Sequence, residues 1–67
     1  MYGTLCICKD GCTVRRRASD FYGIYDYMIS CGRCHEEAED IASWADLAAI
    51  GDEYYTDDPA IEIWMED

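Results

Sequence analysis

Residues 34–67 hold twelve carboxylates and neither a lysine nor an arginine, whereas residues 1–33 hold three carboxylates and all five basic side chains. The two stretches carry formal charges of +2 and −12, which sum to the −10 of the whole chain. Any fold of the acidic half must therefore turn those groups to water, because a buried carboxylate without a cationic partner is strongly destabilising. A field this polarised is seldom needed for a small domain to stand up. It points instead to what the protein meets, and a strongly basic surface of the kind that holds nucleic acid is the natural complement.

At 67 residues the chain is one domain with room for one small core. Such cores supply only ~3–5 kcal/mol, and chains of this size add disulfides, a metal or a partner. With 51% apolar residues the composition is not that of a disordered chain. No apolar run is long enough to cross a bilayer, and Met1-Tyr2-Gly3-Thr4-Leu5-Cys6 lacks the pattern of a secretory leader. The expectation is a cytoplasmic protein with no membrane partner. The charge also argues against direct binding to DNA or RNA, since counterion release rewards lysine and arginine. Arg15-Arg16-Arg17 is the one basic cluster, and on a strand its members point to alternate faces.

The chain divides into a cysteine-containing β part (1–33), an acidic helix (34–50) and an acidic, aromatic β tail (51–67). Residues 4–8 read as a strand, Lys9-Asp10-Gly11 as a turn, and residues 12–17 as the returning strand. Residues 19–23 form a second turn region, followed by a β-prone run at 24–29. On that strand Tyr25 and Tyr27 would share one face. From residue 34 the period becomes helical: Ala38, Ile41, Ala45, Ala48 and Ala49 make one apolar stripe flanked by Trp44, with Gly51 as a stop. A helix is predicted over 33–50. Asp57-Asp58-Pro59 then marks a turn before the alternating Ile61-Glu62-Ile63-Trp64-Met65, a hairpin or edge strand. The predicted fold is a small α+β domain of short hairpins around one central helix.

Five cysteines in so short a chain suit a metal better than disulfides, which would leave one thiol over. Zinc takes four thiolates in a tetrahedron, and Cys8, Cys12, Cys31 and Cys34 supply two short-spaced pairs. Cys6 or His35 could replace one of the four. A closed four-sulfur site would staple the fold and leave no position for a substrate. A short-spaced pair at a turn, an intervening hairpin and a second pair opening a helix resembles the treble-clef zinc domains over residues 6–50. Cys31-Gly32-Arg33-Cys34-His35 also matches the haem-attachment spacing, but nothing supplies export, and three further cysteines would go unexplained. A redox reading of Cys31 beside Arg33 meets the opposing charges of Glu36 and Glu37, and there is no room for a βαβ scaffold.

On a helical wheel Glu36, Glu39, Asp40, Ser43 and Asp46 share the arc opposite Ile41, Ala45 and Ala48. Acids in the first turn complement the helix dipole, worth ~0.3–1 kcal/mol each. Those further along, and Asp52, Glu53, Asp57 and Asp58 beyond, have no lysine or arginine four residues away. Trp44, Tyr54, Tyr55 and Trp64 interleave with them and could anchor an interface. In size and acidity, and in lacking any catalytic constellation, the chain is similar in kind to the small anti-CRISPR proteins of phages that act as nucleic-acid mimics. That resemblance implies a non-enzymatic inhibitor in an infected or lysogenic host cell. It would set Glu36, Glu39, Asp40, Asp46, Asp52, Glu53, Asp57 and Asp58 against a basic nucleic-acid-binding surface, a Cas complex in the first instance. The alternative is a structural zinc-binding adaptor that uses its aromatic strand within a larger assembly. An enzyme ranks third, because no base, nucleophile and oxyanion donor come together.

Overall fold

A computed structural model describes residues 3–67 as β1 (Thr4–Lys9), β2 (Cys12–Arg17), α1 (Phe21–Ser30), α2 (His35–Leu47), β3 (Glu53–Tyr54) and β4 (Ile61–Glu66). The α+β class is as predicted, but there are two helices rather than one. Asp10 and Gly11 both take positive φ, 52° and 84°, which is the type I′ turn whose twist suits a two-residue hairpin. It pairs Lys9 with Cys12 and Cys8 with Thr13. On its other side β1 pairs with β4, also antiparallel, setting Leu5 opposite Met65 and Ile7 opposite Ile63. With β3 joined to β4, the strand order is β2-β1-β4-β3. The tail makes the expected hairpin, yet β4 lies inside the sheet rather than at its edge.

Alternation along the strands then separates two faces. Leu5, Ile7, Ile61, Ile63 and Met65 are buried on one face, and both helices pack there through Ile24 and Met28 of α1 and Ala38, Ile41, Ala42 and Ala45 of α2. The α2 residues follow the i, i+3, i+4, i+7 spacing of a core-facing stripe, and their small size lets the helix lie close to the sheet. Ala48 is only half-buried and Ala49 is exposed. The opposite sheet face carries Cys6, Cys8, Arg15, Arg17, Glu62 and Trp64, following the pairing register.

The run at 24–29, expected as a strand, is the body of α1. Three local features override its β propensity. An Asp20 carboxylate oxygen accepts the Gly23 N–H at 3.1 Å and caps the start. Ile24 and Met28 recur at helical spacing and are fully buried, with Phe21 and Tyr25 packed beside them. At the end Gly32 takes φ +88°, its N–H donates to the Ile29 carbonyl, and the Arg33 N–H donates to the Met28 carbonyl, both at 3.0 Å. This is a Schellman stop with glycine at the left-handed position. Lys9 Nζ reaches the Cys31 carbonyl at 3.1 Å, placing a cation at the negative end of α1 and tying the hairpin to it.

Helix α2 stops at Leu47, short of the predicted 50, because Ala48 is already extended. Gly51 (φ +95°) serves the next turn instead, where the Asp52 N–H donates to the Ala49 carbonyl and the Gly51 N–H to that of Met65, both at 3.0 Å. Among the described residues no helix is long and apolar enough to cross a membrane. Removing the cap with Asp20→Ala should cost ~1 kcal/mol in denaturant melts. Met28→Ala should cost ~2–5 kcal/mol, comparable to all that a core this small supplies, and should leave the chain largely unfolded by circular dichroism. Neutral outcomes for both would mean that α1 does not form.

Candidate functional site

The outer surface of α2 presents Glu36, Glu39, Asp40 and Ser43 around one shallow depression, and Asp46 stands exposed further along. The wheel-predicted ridge therefore exists, fixed by the buried alanine stripe on the reverse of the same helix. Asp52, Glu53 and Asp57 are also exposed, in the turn after α2, on β3 and in the segment before β4. Three of the eight predicted carboxylates, Asp40, Asp52 and Asp58, have internal hydrogen-bond partners. An Asp52 oxygen accepts the Ala49 N–H at 3.0 Å, and Asp40 accepts the Tyr54 hydroxyl at 2.5 Å.

Asp58 differs from the rest. It is half-buried and pairs with Arg33 Nη2 at 3.2 Å, while Arg33 Nη1 lies 3.7 Å from Glu37. Its other oxygen accepts the Ala60 N–H at 2.9 Å, and its backbone N–H and carbonyl both bond the Thr56 hydroxyl, at 3.0 and 3.1 Å. Asp58 braces the segment before β4. An ion pair spanning 25 positions leaves no sign in spacings of four residues. Glu39 lies 3.3 Å from His35 Nε2, an ion pair only when the imidazole is protonated. Among the described residues the other predicted carboxylates have no cation beside them.

Tyr54 links the ridge to the sheet. Its ring meets Trp44 edge-on at 5.3 Å, and both rings are half-buried. Burial first, and then the bond to Asp40 with the negative charge of Asp40 and Glu37, push the Tyr54 hydroxyl up to about 12. Of the four aromatics, Tyr55 alone stands fully in solvent at 86% exposure. Tyr25 and Tyr27 cannot share a face as they would on a strand: Tyr25 meets His35 edge-on with its hydroxyl on Nδ1, whereas Tyr27 lies under the Arg16 guanidinium. Residues 24–29, expected as an aromatic strand, thus present their tyrosines from a helix.

The structure does not assemble the four predicted sulfur ligands. Because the hairpin turn has two residues, Cys8 lies opposite Thr13 and Cys12 opposite Lys9, so Cys8 and Cys12 point to opposite sides of the sheet. The second pair spans the link between helices, with Cys31 the C-cap of α1 and Cys34 the N-cap of α2, and the segment between the pairs holds strand β2 and then helix α1 rather than a hairpin. Among the described residues no three histidine, cysteine or acidic side chains form a metal-holding group. The zinc staple is not shown. Cys6 is fully buried beneath the outer face, where Arg15 and Trp64 are its register neighbours, and burial, with Glu66 adding, raises its thiol pKa.

No protein-family model, no curated protein and no solved structure matches the chain.

Two outcomes follow from this geometry. Cys34 occupies an N-cap in extended conformation without a side-chain bond to the helix, so Cys34→Ser should supply the missing oxygen and raise stability by up to ~1 kcal/mol. A loss of several kcal/mol would reveal a ligand role for the thiol. Tyr54 ionises near 10 when unfolded and near 12 when folded. Its contribution to stability is therefore complete below pH 10 and disappears as the pH rises towards 12. Tyr54→Phe should flatten stability across that window, and an unchanged profile would remove Tyr54 as its source.

Proposed function

We propose that the protein is a non-enzymatic inhibitor that occupies a basic nucleic-acid-binding surface by presenting carboxylates where phosphates would lie. A phage-type, anti-CRISPR-like role against a Cas complex is the form of this reading that the small size and charge favour. The observation that carries it is the exposed carboxylate ridge of α2, together with the absence of any lysine or arginine from residues 34–67. From Glu36 to Asp46 the helix rises ~15 Å. One strand of duplex DNA carries a phosphate every ~3.4 Å along its axis. Four carboxylates over that length (Glu36, Glu39, Asp40 and Asp46) approach the charge of the four or five phosphates they would replace.

Rigidity supports the same reading. The ridge stands on a helix anchored by buried Ala38, Ile41, Ala42 and Ala45, and Tyr54 holds Asp40 in place. Charges held in fixed positions lose little freedom on docking and steer fast, salt-sensitive association. Solubility alone asks for a net charge of about 2–8 in a domain this small, and mixed signs meet that need.

The test is displacement of labelled target DNA from a guide-loaded Cas complex. Reversing Glu36, Glu39 and Asp46 to lysine leaves Asp40 and its tyrosine bond untouched. At ~0.5 kcal/mol per exposed charge, the triple variant should inhibit ~10-fold more weakly, and wild-type inhibition should fall as salt rises. Full inhibition by the reversed protein would sink the mimic reading.

A further inference from the structure

Strand β3 ends after two residues, so it covers only the Ile63–Trp64 stretch of its neighbour: Glu53 lies opposite Trp64, and Tyr54 opposite Ile63. Beyond that point the chain swings away from β4, held off by the Thr56 hydroxyl bonds to Asp58 and by the Arg33–Asp58 pair. An open-sided groove of about 500 Å³ remains between this segment and the start of β4. Its lining includes Trp64, Tyr55 and Pro59 as flat apolar surfaces and Glu53 and Glu62 as carboxylates. The pairing register places both carboxylates on the sheet face of Trp64, one directly across the ladder and one two residues back along β4. Neither has a cation within ion-pair distance among the described residues.

We propose that this groove receives an arginine side chain of the basic partner, with the guanidinium stacked on Trp64 and paired with Glu53 and Glu62. The choice of ligand follows from the walls. Aromatic faces attract cations, Trp most strongly, and a planar guanidinium combines stacking with a fork of donors that matches carboxylates. An ammonium prefers to keep its water and gains less from an open groove. The indole is oriented for the role because its Nε1–H donates to Glu66 at 2.7 Å. That bond, with a further one from Cys6, holds the Glu66 carboxyl below its usual range. The braced segment gives Arg33 and Asp58 a purpose: they keep the far wall apart from β4, so the groove is formed before the ligand arrives. This proposal deepens the inhibitor reading by naming an anchor side chain of the partner, while its chemistry lies outside the α2 ridge.

N-acetyl-arginine amide titrated into the full chain tests it without any partner present. The readout is the Trp64 indole N–H resonance, assigned with Trp44→Phe. Arginine amide should shift it saturably, the neutral isostere N-acetyl-citrulline amide should not, and the lysine amide should bind ~3-fold or more weakly. The Glu53→Gln/Glu62→Gln pair should weaken arginine binding ~3-fold or more while leaving the folded spectrum intact. Equal shifts with citrulline, lysine binding as tight as arginine, or unchanged affinity in the glutamine pair would each overturn the proposal. Such failure leaves the α2 ridge standing, because its reversal variants do not touch Glu53 or Glu62. Conversely, loss of DNA displacement on reversing α2 carries no information about this groove.

Discussion

Pairing of β1 with β4 is the constraint on which the rest of the molecule depends. It joins residue 4 to residue 66 and sets Leu5 against Met65 and Ile7 against Ile63, building the apolar floor on which both helices rest. A shift of one residue in that register would turn Glu62, Trp64 and Glu66 into the core and the isoleucines out to water. The acidic tail is thus not an appendage. Its alternating apolar residues supply half the inner sheet face, and its carboxylates are outside because their neighbours are inside. The same pairing converts a division of charge along the chain into one across space. Strand order β2-β1-β4-β3 puts Arg15, Arg16 and Arg17 on one edge strand and the acidic hairpin at the other side.

What could be read from the sequence depended on whether the deciding signal was local. Asp10-Gly11 specified its hairpin outright, because few other dipeptides tolerate two successive positive φ angles. The alanine stripe gave α2, since a 3.6-residue period over a dozen positions has no strand counterpart. Helix α1 was missed where propensity and period disagreed. Ile24, Tyr25, Tyr27 and Ile29 favour a strand as residue types, whereas Phe21, Ile24, Tyr25 and Met28 already spell a helical face between an Asp20 cap and a Gly32 stop. Punctuation was the better guide than composition. The sides of the sheet that the thiols take are not legible in their spacing, for a related reason. Spacing suggested two pairs, but a two-residue turn dictates which side of the sheet each thiol takes, and Cys8 and Cys12 differ by an even number of residues interrupted by that reversal.

The candidate site divides along the same line. The α2 ridge was legible because periodicity alone sets which carboxylates share a face. The paired state of Asp58 was not, since only the folded chain brings Arg33 to it. Nor was the β4 groove, which exists because β3 stops after Tyr54 and the following segment is braced away from the sheet. No pattern in residues 53–60 states how far a ladder will run. The Trp64–Glu53 juxtaposition is likewise a product of register, which sets Glu53 beside Trp64 and its strand neighbour Glu62 across the β3–β4 ladder.

Opposite demands meet on this surface. Carboxylates without nearby cations repel one another, at a few tenths of a kcal/mol for a pair such as Glu36 and Asp40, and a core of thirteen buried apolar residues has little to spare. Salt screens that repulsion and so favours the fold, while the same screening weakens attraction to a basic partner. A chain selected for stability alone would break up the field with lysines at the exposed positions of α2 beyond its first turn, where they do not oppose the helix dipole. On the inhibitor reading proposed above, an interface would use that charge. On the same reading, arginines and lysines of the partner would offset the self-repulsion that the isolated protein carries.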